Sequence, residues 1–343
     1  MKWALAGVFL ATIQACSSEA STPGAQRVRA AKLESADLEA LASIDLPQVE
    51  GRIDHLALDF DRERLWVAAL ENGTLECVNA RTAEFVGRCA WPAEPQGVVV
   101  IGGRAWVSDG ERGQLLVYSR TDERTDELPE ASLDIGADAD NVRFVPGTKT
   151  IVVGYGGGGL AVVDPAAARV IARIPLDAHP ESFQIAADGK RCWVNVPGAH
   201  SIAVVDLEAR RVVRSIRVDA ARANYPMALV ESDRRLLVGC REPARLLAFD
   251  IDTDALVAEL PLSGDVDDIF ADSERGLVYA SCGEGFVDVF ERVNVGVWKP
   301  RSQIATAAGA RTCLFVPEKK RLFVAVPHRG AQRAEVRVFA TGR

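Results

Sequence analysis

Side chains able to do chemistry are few in this chain and unevenly placed. There are four histidines, His55, His179, His200 and His328, the residue type whose charge changes nearest to neutral pH and the commonest imidazole ligand of metals. Asn141, Glu181, Asp268 and Arg311 stand at intervals that suggest equivalent places in a repeated unit. Carboxylates, an amide and an imidazole could hold a divalent cation, and His55 with Glu181 could move protons. The plainer reading, preferred from the sequence, is that these groups hydrogen-bond loop backbones and water. Two such histidines are too few for a copper cluster. Tyr155 leads into Gly156–Gly159, which has the composition of a phosphate loop, yet the run joins two strands and opens no helix. Six cysteines follow Cys16, with no Cys-x-x-Cys or Cys-x-x-Cys-His, so zinc ribbon, thiol redox and covalent haem are not indicated. Cys77 and Cys89 flank one predicted hairpin whose register pairs Cys77 near Val86, which puts Cys89 beyond disulfide reach. Cys192, Cys240, Cys282 and Cys313 read as small buried hydrophobes.

Whether those polar groups meet depends on the elements that carry them. One unit recurs: a short apolar strand, a charged turn and a second apolar strand, as in Leu56–Phe60, Asp61–Arg64 and Leu65–Ala69. It returns around Pro146–Lys149, Ala187–Lys190, Glu231–Arg234, Asp272–Arg275 and Pro317–Lys320, and in shortened form at Gly102-Gly103. Each copy except the last adds a second hairpin, often opened by an Asp such as Asp164, Asp206 or Asp250, whose carboxylate suits a turn start. Equivalent positions at His55, Gly97, Asn141, Ser182, Met227, Asp268 and Thr312 are 42, 44, 41, 45, 41 and 44 residues apart. Four short strands per unit of this length predict a blade of an all-β, seven-bladed β-propeller. Trp66, Trp106 and Trp193 share a second-strand position and read as stacked core. The seventh copy stops after its third strand, Glu335–Phe339, while an orphan strand at Leu41–Pro47 resembles the fourth strands elsewhere. That orphan is expected to close the last blade from outside, removing two exposed sheet edges.

Runs such as Ile202–Asp206 and Arg321–Val326 resemble those of YVTN-repeat, YncE-like β-propeller proteins, and the resemblance covers residues 41–341. Leu277-Val278-Tyr279-Ala280 and Leu65-Trp66-Val67-Ala68 stand where that family carries its name-giving tetrapeptide. The resemblance implies an exported seven-bladed protein, similar in fold to quinoprotein dehydrogenase and lactonase propellers, with no single shared reaction. It carries over no catalytic residue.

In a propeller the fourth-to-first and second-to-third connections leave by one end, and the other turns leave by the opposite end. The opposite turns are plain, for example Asp188-Gly189-Lys190. All four histidines fall in or beside the first set, which predicts a working face there. The ligand-binding candidates are His55, Asn141, Tyr155, His179, Glu181, Arg241, Asp268, Arg311 and His328. If the protein is an enzyme, His55, Glu181, Asp268 and Arg311 are the catalytic candidates.

Trp3 to Ile13 form an apolar stretch too short to span a bilayer and suited to a signal peptide. Ala15-Cys16 then resembles a bacterial lipobox, so Cys16 is expected to be lipidated. The division expected is residues 1–15 signal peptide, 16–32 flexible tether and 33–343 propeller, in a protein of the periplasm or cell envelope that meets the membrane only through its lipid. The charge of −8, from 40 Lys+Arg against 48 Asp+Glu, disfavours nucleic acid. The leading expectation is a monomeric, non-catalytic module that binds a small molecule or a protein through the loop-rich face. The alternatives are an axial-channel hydrolase or lyase, lactonase-like and metal-assisted, and a quinone-dependent redox protein. No cofactor is expected, with a divalent metal in the axial channel as the open alternative.

Overall fold

The computed structural model describes residues 37–118 and 128–342; the expected leader, Cys16 and the tether lie outside them. Twenty-eight strands among the described residues group into seven four-stranded antiparallel sheets, which form a ring. The first strand, β1 (Leu38–Asp45), belongs to the last sheet. Blade one is β2 (Leu56–Asp59), β3 (Arg64–Ala69), β4 (Thr74–Asn79) and β5 (Glu84–Cys89). Blade two is β6 (Pro95–Ile101), β7 (Arg104–Asp109), β8 (Gln114–Tyr118) and β9 (Ala131–Asp134). Blade three is β10 (Ala139–Val145), β11 (Thr150–Tyr155), β12 (Gly159–Asp164) and β13 (Arg169–Pro175). Blade four is β14 (Phe183–Ile185), β15 (Arg191–Val196), β16 (Ser201–Asp206) and β17 (Arg211–Arg217). Blade five is β18 (Arg222–Val230), β19 (Arg235–Glu242), β20 (Ala244–Asp250) and β21 (Leu256–Pro261). Blade six is β22 (Val266–Asp272), β23 (Leu277–Cys282), β24 (Phe286–Asn294) and β25 (Val297–Ala305). Blade seven is β26 (Cys313–Val316), β27 (Arg321–Val326), β28 (Glu335–Thr341) and, outermost, β1. No helix among the described residues is long and apolar enough to cross a membrane.

The sequence pattern follows burial. Second and third strands are covered by neighbouring blades on both faces, so β3 and β4 are almost wholly buried; β3 is a continuous apolar run from Leu65 to Ala69, whereas β4 also buries Thr74 and Glu76. Fourth strands border solvent and alternate, as in β17, where Ile216 is buried between exposed Ser215 and Arg217. The core is divided into seven apolar clusters, one for each contact between adjacent blades. Trp66, Trp106 and Trp193 fill three of them at 2%, 2% and 1% exposure. Turn chemistry is local: Asp164 Oδ1 accepts from the Ala166 and Ala167 amides, and Asp250 Oδ1 from those of Asp252 and Thr253. Gly102 and Gly103 take φ of +57° and +76°, the left-handed pair that a two-residue hairpin requires.

The ring closes as the repeats predict. β1 pairs with β28 from Leu38↔Thr341 to Asp45↔Glu335, with a bulge between Ala40 and Ala42. The strand begins three residues before the orphan run, because the ladder continues until β28 ends. Cys77 pairs with Gly87, one residue from the expected register, because a bulge follows at Val78. Neither Cys77 nor Cys89 forms a disulfide.

Candidate functional site

The innermost strands do not begin straight. In β10 the ladder passes from Ala139↔Tyr155 to Val142↔Val153, leaving Asp140 and Asn141 in a bulge. Similar register shifts occur between Pro95 and Val98, Asn224 and Met227, and Val266 and Asp268. A bulge re-aims side chains, and those of Gln96, Asp140, Asn141 and Asp267 line a common cavity. Side chains from the second strands secure these entrances. Ser108 Oγ accepts from the Gly97 amide at 2.7 Å and donates to the Asp140 carbonyl. Asn195 Nδ2 donates to the Tyr225 carbonyl at 2.8 Å, and Ser281 Oγ to that of Ala310 at 3.1 Å. The Gly97 bond lies within blade two, and each of the others reaches from one blade to the entrance of the next.

The cavity occupies about 210 Å³. Its walls carry five carboxylates, Asp54, Asp138, Asp140, Glu181 and Asp267, against Arg52, His55 and His179. Crowding of like charge away from water sets their protonation. Burial, with Asp140 and Asp267 adding to it, pushes Glu181 up to about 9. Burial and Asp54 raise Asp140 to about 7 against the pull of His55. Burial outweighs Arg241 at Asp267, which rises to about 6. His55 goes the other way in charge: burial alone would lower it, but Asp54, Asp268 and Asp140 together raise it to about 10. Its Nδ1 is 3.6 Å from Asp268 Oδ1 and its Nε2 3.8 Å from Asp54 Oδ1. At neutral pH His55 is therefore an imidazolium, a fixed positive charge rather than a proton acceptor.

Asp140, His179 and Glu181 form a group able to hold a metal ion, one ligand atom from each lying within 4.8 Å of the others. His179 Nε2 is 3.9 Å from Asp140 Oδ2 and 3.8 Å from Glu181 Oε1. On the far side of the ring, Nδ1 faces Asp138 Oδ2 at 3.2 Å.

Of the residues proposed from sequence, His55, Asn141, His179 and Glu181 line this cavity. Asp268 stands behind His55 and also accepts from the Cys313 amide at 2.9 Å. Arg241 is held at the rim: Nε donates to the Val266 carbonyl at 2.8 Å, Nη2 to Asp267 at 2.6 Å, and the guanidinium lies 4.2 Å from the centre of the Tyr225 ring. Arg311 pairs with Asp265 at 3.0 Å and does not line the cavity. Tyr155 packs in the core between blades two and three under the Arg173 guanidinium. The connections that carry the four histidines share one end of the ring by topology, but His200 and His328 lie off the cavity: His200 ends the turn at Pro197–Ala199, and His328 pairs with Glu50 at 2.6 Å. Asp54, Asp138 and Asp140 were missed. The signal was an acid beside an entrance residue already chosen, at Asp54-His55 and Asp140-Asn141.

No family model and no curated protein matches the sequence. Among solved structures the chain is similar to one of Kuenenia stuttgartiensis hydrazine synthase, with a TM-score of 0.68 and 17% identity, covering 81% of this chain and 94% of that one. At that identity the likeness concerns the seven-bladed fold alone.

Proposed function

We propose that this protein is an exported propeller of the YVTN-repeat, YncE-like kind, lipid-anchored at Cys16, and that it acts as a binding module. Its axial mouth takes a small ligand that is positively charged or rich in hydrogen-bond donors. The observation that carries this reading is the lining of the cavity, where five carboxylates meet three basic side chains in about 210 Å³. Burial and like-charged neighbours hold protons on two of those carboxylates towards or beyond neutrality, against the pull of His55 and Arg241. A ligand that supplies positive charge relieves that repulsion, whereas an anion adds to it. The imidazolium state of His55 supports binding over proton abstraction at that residue.

The test is calorimetry at pH 8 and low salt with putrescine, citrate and glucose as probes. Putrescine is expected to bind, and Asp140→Asn with Glu181→Gln to weaken it about tenfold or more, equivalent to about 1.4 kcal/mol. Preference for citrate, or putrescine binding indifferent to both substitutions, overturns the reading.

A further inference from the structure

We propose that Asp140, Asn141, His179 and Glu181 bind one divalent cation of the kind that accepts mixed oxygen and imidazole ligands, with Mn2+ as the best-matched probe. This inference rests on the acidic-mouth reading and gives its ligand a chemical identity.

Three donor atoms already converge. His179 Nε2 lies 3.9 Å from Asp140 Oδ2 and 3.8 Å from Glu181 Oε1, and all three ligand atoms fall within 4.8 Å of one another. An ion seated equally among atoms so spaced stands roughly 2.2–2.5 Å from each, wider than Mg2+ or Zn2+ prefers and within reach of Mn2+ or Ca2+. Two carboxylates suit hard cations, while the imidazole draws the preference towards transition metals.

A fourth donor comes from an independent observation. Asn141 is 3% exposed and lines the same cavity, and its Oδ1 is buried without a hydrogen-bond partner among the described residues. Buried acceptors are almost always satisfied, so an orphan at the edge of a ligand cluster points to a missing partner. The other end of the amide is engaged, since Nδ2 donates to Asp140 Oδ2 at 3.2 Å and so orients that carboxylate.

The imidazole is arranged as a metal ligand would be. Asp138 Oδ2 stands 3.2 Å from His179 Nδ1 without hydrogen-bond alignment, so that Nδ1 is buried and unpartnered among the described residues, and a small turn of the ring would engage the pair and leave the Nε2 lone pair facing Asp140 and Glu181. Carboxylates behind metal-bound histidines do this generally. Asp138 is itself fixed: it adopts φ of +57°, its amide donates to the Gly110 carbonyl at 2.9 Å, and its carbonyl accepts from Gly156 at 3.0 Å. The Glu181 amide donates to the Asn195 carbonyl at 2.9 Å. The donors thus come from the entrances of two adjacent blades, three and four, each anchored through its backbone.

The charge around the cluster is balanced, with Asp54, Asp138 and Asp267 against Arg52, Arg143 and the His55 imidazolium, so the preference for a cation comes from the two carboxylate ligands themselves.

The experiment is titration of the chelator-treated full chain with Mn2+, Ca2+, Zn2+ and Mg2+ by calorimetry, with Mn2+ also followed by electron paramagnetic resonance. One equivalent of Mn2+ is expected to bind saturably. Glu181→Gln and His179→Ala should each weaken it at least tenfold, and Asp138→Asn about 10–100-fold. Glu274→Gln, in an exposed turn at the opposite end of the ring, should not. Circular dichroism of each variant without metal shows that folding is retained, and Asn141→Asp, which keeps an oxygen donor, should retain binding if a variant at that position folds. Saturable binding by none of the four ions, or Mn2+ binding unchanged by Glu181→Gln and His179→Ala, overturns the proposal. If metals fail while putrescine still binds in an Asp140-dependent way, the metal site falls and the acidic-mouth reading stands; if both fail, both fall.

Discussion

The side chains of Asp138 and His179 meet across the boundary between blades three and four, with Oδ2 and Nδ1 3.2 Å apart. Neither residue is near the other in the chain, and the contact exists only because Gly156, at the tip of the β11–β12 hairpin, leaves room. A Cβ on Gly156 would stand 2.6 Å from the Asp138 Cβ. Gly156→Ala should therefore displace Asp138 and weaken Mn2+ binding about tenfold or more. Gly147→Ala, where the nearest atom is 3.8 Å away, is the matched control. Equal affinities in the two variants would contradict the placement of Asp138 behind the imidazole.

Ser108 should matter to stability although it touches no solvent. Its hydroxyl accepts from the Gly97 amide and donates to the Asp140 carbonyl, so Ser108→Ala orphans two buried backbone groups. A loss of about 1–3 kcal/mol is expected in urea unfolding. A change within error would show that water replaces the hydroxyl.

The metal-free protein should lose stability as pH rises. Folding raises Glu181 from 4.5 to about 9, Asp140 from 3.8 to about 7 and His55 from 6.5 to about 10. Over those windows the native chain holds more protons than the unfolded one, so the stability each group lends is complete at low pH and lost on alkalinisation. Asp250 and Glu291, whose values are lowered, act at the acid end and do not offset this. The midpoint of thermal unfolding should fall from pH 5 to pH 9, less steeply with Mn2+ present. A midpoint rising over that range would refute the charge arrangement.

Arg241→Ala should cost stability as well as any effect on binding. The guanidinium holds the Val266 carbonyl and Asp267 and stacks on Tyr225, so truncation leaves a half-buried carboxylate without its partner. About 1–3 kcal/mol is expected from urea unfolding, with Arg241→Lys recovering only part because it lacks the planar fork.

The architecture was legible because strands covered on both faces are mostly apolar, and such runs as Leu65–Ala69 and Ile202–Val205 recur with the blade. β1 could be placed because its alternation matched fourth strands, whose outer face meets water. The site was half legible. His55, Asn141, His179 and Glu181 were found from their position in the repeat. Asp140 was not, because its direction is set in a bulge, which depends on cross-strand register that no local pattern records, and Asp138 was not, because a left-handed residue ahead of β10 places it. Arg311 failed for a related reason: its nearest carboxylate is Asp265, in the loop ahead of β22, which holds it away from the cavity.

Because Leu38 faces Thr341 across a single ladder, the earliest strand of the propeller to be synthesised waits for the last. Six blades are each complete from contiguous chain and can assemble in order, but the seventh joins segments about three hundred residues apart. Loop-closure entropy grows only slowly with such a separation, so the penalty falls mainly on kinetics. Until β28 emerges and captures β1, the nascent ring remains a C-shaped arc with two sticky flanks, and that interval is when it is most exposed to mispairing with another copy.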